Sequence, residues 1–88
     1  MLQEEFEIVN KLGLHARASA LFVKTASRFQ SDVKLARDTV EVNGKSIMGI
    51  MMLAASKGTR VKLTVSGSDE VEGMQVIGDL IKDGFGEE

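Results

Sequence analysis

The chain has 88 residues, with 13 Asp and Glu, 11 Lys and Arg, a single His and no Cys. This length predicts one domain spanning residues 1–88, with a small core. Without Cys the chain has neither disulfides nor thiolate metal ligands, and its composition suits a reducing compartment. No apolar run of about 18 residues and no signal-peptide core are found, so we predict a cytoplasmic protein without membrane insertion.

The first half of the chain predicts a strand, a helix and two further strands. Charged and apolar residues alternate over residues 5–8, which is the period of a half-buried strand. A loop at 10–13 precedes a helix, because apolar residues recur at steps of three and four over residues 18–29, and the helix ends at 30–32. Alternation then resumes over 33–36 and 40–42, which predicts two short strands joined by a turn.

The second half of the chain predicts a short helix, a strand and a longer helix. Ser46 follows the turn signal Asn43-Gly44 and takes the N-cap position of the short apolar helix. Residues 61–65 alternate as a strand, and residues 66–69 form a turn and cap. The last helix has an apolar stripe that we assign to Val71, Met74, Ile77 (or Gly78), Ile81 and Phe85. The order βαββαβα, with one apolar face per element, predicts an α+β two-layer sandwich.

The only histidine, His15, lies shortly after Gly13 at the predicted start of the first helix. Imidazole titrates near neutral pH and can accept and release a group there. The backbone N–H groups of Ala16 and Arg17 lie at the helix N-terminus, where a phosphate is stabilised, and the Arg17 guanidinium adds a second phosphate contact. The pattern favours an imidazole that carries a phosphoryl group, with a surface histidine of no special role as the alternative.

Other binding chemistries are poorly supported by the sequence. A metal site needs three or four ligands, and the chain offers one His and no Cys. The stretch NGKS resembles the end of a nucleotide-binding loop, but Thr39 stands where that loop has its first glycine. We therefore predict neither a metal nor a cofactor.

The basic residues are concentrated in two segments that contain no Asp or Glu. Residues 8–31 hold Lys11, Arg17, Lys24 and Arg28, and residues 42–68 hold Lys45, Lys57, Arg60 and Lys62. If both segments share one face, that face is positive on an otherwise acidic protein. Few aromatic residues lie among these charges, so nucleic-acid binding is not predicted.

The motifs GLHARASA and NGKSIMGIMML resemble those of the HPr family, the phosphocarriers of the bacterial phosphotransferase system. The resemblance runs over almost the whole chain. It implies an open-faced sandwich with a four-stranded antiparallel sheet and three helices on one face. It also implies a monomeric phosphoryl carrier, not an enzyme, that serves sugar uptake. In that role His15 takes phosphate on Nδ1 from Enzyme I and passes it to Enzyme IIA domains, while Arg17 stabilises the phosphohistidine.

The resemblance further implies a docking surface and a regulatory site. Docking falls on two helices, at Ala16, Ala20, Lys24, Ile47, Met48 and Met51. Because so short a second helix cannot bury all of its apolar side chains, Met48 or Met52 is expected to be exposed. Ser46 matches the serine that HPr kinase/phosphorylase modifies, and a phosphate there would add about −1.5 to −2 charge to the docking face.

One departure from the family motif and three alternative functions remain. Ala18 stands where the family motif has proline, which leaves open whether the usual partners are used. NKLGLHAR and MLAASKG also resemble carriers of the nitrogen-related branch. A mainly regulatory binding module acting through phospho-Ser46 is the second alternative, and a ligand-binding α+β domain is the third.

Overall fold

A computed structural model describes residues 1–87 of the chain. The elements, in chain order, are β1 (Leu2–Glu7), α1 (Ala16–Ala26), β2 (Asp32–Arg37), β3 (Val40–Asn43), α2 (Ile47–Met52), β4 (Arg60–Ser66) and α3 (Glu70–Lys82). A tight turn at Gly84–Gly86 follows α3. The predicted order βαββαβα is therefore confirmed.

The four strands form one antiparallel sheet in the order β1-β4-β2-β3. Side chains alternate between the two faces of each strand. One face packs beneath the helices through buried residues such as Val33, Leu35, Leu63 and Val65, and the other face is open. The structure thus confirms the open-faced two-layer sandwich.

The first helix is shorter than its apolar pattern predicts. It ends at Ala26, with Ser27 as its C-cap, whereas the sequence placed the end at residues 30–32. Phe29 nevertheless lies buried in the same core. Phe29 lies in the connection between α1 and β2 and still enters the core, so it continues the apolar spacing of the helix. Such spacing shows which residues are buried, and it does not show whether their backbone is helical.

The last helix differs from its prediction at both ends. Val71 is 73% exposed, because the buried stripe of α3 follows Met74, Ile77 and Ile81 together with two glycines of the same face. Phe85 is buried but lies beyond the helix, which ends at Lys82. Phe85 reaches the core from the left-handed turn that follows, at a φ of 60°.

The short helix α2 is held at both ends by polar contacts. Ser46 is its N-cap, as predicted, and its Oγ accepts a hydrogen bond from the backbone N–H of Gly49 at 3.1 Å. At the other end Arg37 Nη1 donates to the carbonyls of Leu53 and Ala54, each at 3.0 Å. Ala54 adopts a φ of 50°, a left-handed conformation that costs a non-glycine residue about 1 kcal/mol or more.

The basic residues are distributed over more than one face. Arg60 and Lys62 alternate with core residues of β4 and so lie on the open face of the sheet, where Arg60 Nε is 3.4 Å from Glu5 Oε1. Lys45 Nζ donates to the carbonyl of Phe29 at 2.8 Å. The condition that the two basic segments share one face is therefore not met, since Arg60 and Lys62 lie on the sheet.

Asp69 ties the start of α3 to the connection between α1 and β2. It occupies the N-cap position, yet its side chain makes no capping bond. Instead, the carboxylate accepts hydrogen bonds from the backbone N–H groups of Gln30 and Ser31 at 2.9 and 3.0 Å, and from the Ser31 hydroxyl at 2.5 Å. The Ser31 hydroxyl, followed by the Gln30 N–H, lowers the pKa of Asp69 below its usual range.

Replacing this carboxylate is expected to destabilise the protein in a pH-dependent way. Asp69→Asn should lower the thermal midpoint at pH 7, because an amide presents only one acceptor oxygen to three donors. A carboxyl whose pKa is lowered on folding stabilises above its unfolded pKa of about 4, and this stabilisation is lost as the pH falls further. The deficit of the variant should therefore shrink in melts below about pH 4.

Asp32→Asn is the matched control. It removes the same charge from the exposed first residue of β2, for which the described residues show no side-chain hydrogen bond or ion pair. Its midpoint should stay near that of the parent at every pH. A deficit for Asp69→Asn that stays constant from pH 7 to pH 2 would contradict the proposed pH dependence.

Candidate functional site

The loop that leads to His15 is fixed by close backbone packing. Gly13 has a φ of 64°, and its N–H donates to the carbonyl of Asn10 at 3.1 Å, which closes a turn. Leu14 N–H donates to the carbonyl of Ala55 at 2.9 Å, and a Cβ on Gly13 would lie only 2.4 Å from that same oxygen. Both the positive φ and the lack of space require glycine here.

His15 is the N-cap of α1, so its predicted place at the start of this helix is confirmed. Its backbone is extended, with φ −75° and ψ −179°, and its carbonyl accepts the first helical bond from Ser19 N–H at 2.9 Å. Its Nδ1 accepts a hydrogen bond from the backbone N–H of Arg17 at 3.2 Å. The imidazole therefore caps the helix with a nitrogen lone pair.

The other ring nitrogen of His15 contacts a carboxylate from the far end of the chain. Nε2 lies 2.5 Å from Glu87 Oε2. Since Nδ1 accepts from an N–H group and Nε2 faces an acceptor, we assign the neutral ring as the tautomer with its hydrogen on Nε2. The unprotonated Nδ1 is then the nucleophilic nitrogen.

Glu87 is itself held by a buried amide. Asn10 Nδ2 donates to Glu87 Oε1 at 3.0 Å and to the carbonyl of Gly13 at 2.8 Å. The hydrogen bond from Asn10, with smaller contributions from His15 and from the charge of Arg17, lowers the pKa of Glu87 and outweighs the opposing effect of partial burial. Glu87 is therefore ionised at neutral pH.

His15 lies in a surface groove where a partner can reach it. The groove is lined by Lys11, Leu12, His15, Ala16, Arg17, Gly86 and Glu87. The His15 side chain is 26% exposed, and that of Leu12 protrudes at 68%. The arrangement presents a partly exposed imidazole, with an unprotonated nitrogen, at a helix N-terminus beside an exposed arginine. Such a site can accept a group from a large partner, since it does not enclose a substrate.

The predicted docking residues are all solvent-accessible. Ala16, Ala20 and Lys24 are exposed on α1. On α2, Met48 is 75% and Met52 73% exposed, with Ile47 and Met51 partly so. The expectation that Met48 or Met52 is exposed is confirmed for both. Ser46 lies at the N-terminus of α2, outside the groove that holds His15.

Two residues of the site were missed from the sequence. Glu87 lies 72 positions from His15, and nothing in its local pattern indicates that it returns to the first helix. Asn10 was assigned only to a loop. A general signal was present, because Asn is favoured in tight turns, where its side chain bonds to nearby backbone atoms. Here that bond to Gly13 exists, but the bond to Glu87 depends on tertiary structure.

Two further classes of site were searched within the described chain. Among residues 1–87, no three His, Asp or Glu side chains gather into a cluster that could hold a metal ion. None of the helices in this range is long and apolar enough to cross a membrane.

Comparison with known proteins identifies the family. The sequence signature described as the PTS HPr component phosphorylation site matches residues 2–83. Phosphocarrier protein HPr of Neisseria meningitidis is 56% identical over 87 residues, covering 99% of this chain and 98% of the relative.

Solved structures agree with this similarity. HPr from Thermoanaerobacter tengcongensis superposes with a TM-score of 0.96 at 52% identity, covering 100% of this chain and 99% of the other. Crh of Bacillus subtilis, a catabolite-repression protein solved as a domain-swapped dimer, has a TM-score of 0.77 at 46% identity, covering 96% and 97% of the two chains. The chain belongs to the HPr family of the phosphotransferase system, and it is a phosphocarrier, not an enzyme.

Proposed function

We propose that the chain relays a phosphoryl group on His15 Nδ1, from phospho-Enzyme I to Enzyme IIA domains in sugar uptake. The observation that carries this proposal is the capping of α1 by an unprotonated Nδ1, held at 3.2 Å from the Arg17 N–H. Family membership supports the carrier role, and residues 1–88 would act as one domain. The cytoplasmic location stays a prediction.

The helix N-terminus explains why phosphate would be accepted reversibly. Once Nδ1 bonds to phosphorus, it no longer accepts from Arg17 N–H, and a phosphate oxygen can replace it as acceptor. The N–H group of Ala16, the N–H group of Arg17 once it is released from Nδ1, and the dipole of the 11-residue helix would stabilise the dianion. The exposed Arg17 guanidinium adds a further charged contact. These contacts are modest, so the phosphate can still be passed on.

Docking would use the two adjacent helices beside His15. On α1, the small side chains of Ala16 and Ala20 leave the imidazole uncovered, and Lys24 adds positive charge at the other end. On α2, Ile47, Met48 and Met51 supply apolar surface that can adapt to more than one partner. We propose that the chain docks in this way as a monomer, in contrast to the swapped dimer of Crh.

His15 and Arg17 should differ in what they contribute to transfer. With phosphoenolpyruvate and Enzyme I, His15→Ala should carry no acid-labile, base-stable phosphate. Arg17→Ala should be phosphorylated roughly 10- to 100-fold more slowly, as expected for loss of one charge-assisted hydrogen bond. Arg28→Ala, which removes a charge just beyond α1, is the matched control and should react at the parent rate. Phosphate on His15→Ala would contradict the relay.

Restoring the proline of the family motif tests the start of α1. Ala18 N–H makes no helical hydrogen bond, since the first such bond is donated by Ser19. Ala18→Pro should therefore raise the free energy of unfolding by about 0.4–1 kcal/mol, measured by urea titration, through restriction of the unfolded chain. Phosphorylation by Enzyme I should persist in both proteins. Failure of both to accept phosphate would rule out the relay assignment.

We also propose that Ser46 is a regulatory phosphorylation site for an HPr kinase/phosphorylase. The residue is half-buried, and its hydroxyl caps α2 directly before Ile47 and Met48. Lys45 Nζ is engaged with the carbonyl of Phe29, so a phosphate on Ser46 would not meet that ammonium unless Lys45 changes partner. The added negative charge would then face an approaching partner largely uncompensated.

Mimicking this phosphate should slow docking. Ser46→Asp should reduce the rate of phosphorylation by Enzyme I about tenfold, at the low end of electrostatic steering effects, and less at high salt. Ser68→Asp adds the same charge at an exposed position before α3 and should have no such effect. Mass spectrometry of the Ser46 peptide after incubation with the kinase checks the site itself. An unmodified peptide would contradict the regulatory proposal.

A mainly regulatory module is the second candidate function. It is favoured by 46% identity with Crh over nearly the whole chain, because Crh is described as a catabolite-repression protein. In that case Ser46→Asp would create binding to a regulator, and His15→Ala would leave that binding intact. The nitrogen-related branch also remains an alternative; it differs in the downstream partner and not in the chemistry at His15.

A further inference from the structure

The buried side chain of Asn10 connects the two ends of the chain at the site. It is only 2% exposed, and its amide nitrogen donates to both the carbonyl of Gly13 and the carboxylate of Glu87. Its own carbonyl oxygen, Oδ1, has no hydrogen-bond partner among the described residues. Since buried polar groups are usually paired, the contribution of this amide to the site comes from its donors and not from its acceptor.

The chain after α3 follows an unusual path to reach this amide. Gly84, Phe85 and Gly86 all have left-handed φ values, of 67°, 60° and 73°. Phe85 is buried in the core, so the turn is anchored where it reverses the chain. The sharp reversal carries Glu87 back from the end of α3 to the groove beside His15.

The carboxylate of Glu87 is held at both of its oxygens. Oε1 accepts from Asn10 at 3.0 Å, and Oε2 faces His15 Nε2 at 2.5 Å. Its side chain is 19% exposed, which limits competition from water. The charge of Arg17 also favours its ionised form. Among the described residues each oxygen has one partner, which fixes the direction in which the carboxylate faces the ring.

We propose that Asn10 is a positioning residue that holds the Glu87 carboxylate against His15 Nε2–H. Held there, the carboxylate keeps Nδ1 unprotonated, and it balances the positive charge that the ring gains when Nδ1 carries phosphate. This rests on the phosphoryl relay proposed above. Asn10 does not contact the reacting nitrogen. It acts on the ring through Glu87, while its second hydrogen bond holds the loop at Gly13.

The transfer step shows what the carboxylate supplies. The Nδ1 lone pair forms a bond to phosphorus, and the bond from phosphorus to the donor atom of phospho-Enzyme I breaks, its electron pair leaving with that donor. Nε2 keeps its hydrogen throughout, so the ring of His15 gains one positive charge. That charge develops next to Glu87, which is already ionised and in place. The reverse movement of electrons releases the phosphoryl group to the next partner.

The tautomer of His15 tests the proposal without any phosphate. In long-range ¹H–¹⁵N spectra the unphosphorylated parent should show the Nε2–H tautomer, with a downfield, slowly exchanging Nε2 proton. In Glu87→Gln the amide can still accept from Asn10, but it turns its NH₂ group toward Nε2. That proton signal should be lost, and the Nδ1–H tautomer should increase. Asn10→Ala leaves Glu87 unchanged but removes the amide that holds it, so the Nε2 proton of His15 should no longer exchange slowly.

Rates of phosphorylation by Enzyme I give the second measurement. We expect roughly tenfold slower reaction for Glu87→Gln, the size of one charge-assisted hydrogen bond, and a smaller loss for Asn10→Ala. Glu72→Gln, which removes a charge from an exposed position of α3, is the control and should match the parent in both measurements.

The outcomes separate this proposal from the relay itself. A parent protein that Enzyme I does not phosphorylate, yet shows the predicted Nε2 proton and its loss in both variants, would refute the relay and leave the positioning by Asn10 supported. Parent-like spectra and rates for both variants would overturn the positioning proposal and leave the relay standing. If Asn10→Ala does not fold, Asn10→Leu, which fills a similar volume without an amide donor, takes its place and is expected to give the same spectral change.

Discussion

The site depends on how closely the loop before His15 packs against the segment after α2. No atom larger than hydrogen fits between Gly13 and the carbonyl of Ala55, and Leu14 is bonded to the same oxygen. This contact sets where α1 begins, and therefore where its first N–H groups point. It also fixes the end of α2 to the loop that carries His15, so that the proposed docking helices and the imidazole belong to one arrangement.

The order of elements and the main site could be predicted because both have local signals. Alternating strands, two N-caps and the GLHAR motif each lie within a few consecutive residues, and the structure confirms the elements they predict. The ends of α1 and α3 could not be predicted. Phe29 and Phe85 are buried at helical spacing without being helical, and a single sequence does not distinguish the two situations.

The roles of charged and polar residues were harder to predict than the fold. Pairing across 72 residues, as between His15 and Glu87, depends on a left-handed turn with no simple sequence pattern beyond its two glycines. Likewise, the side of the sheet on which Arg60 lies depends on strand register. Clustering of basic residues along the chain therefore overstated how much positive charge lies on the helical side.

The anchoring of α2 has a consequence for the energetics of recognition. Arg37 fixes the carbonyls at the C-terminal end of this helix and Ser46 fixes its N-terminus, so its backbone is already in place before a partner arrives. If α2 docks partners as proposed, ordering is confined to its exposed side chains, at about 0.5–1.5 kcal/mol each. Such a surface would fit proteins of different shape without a slow backbone rearrangement.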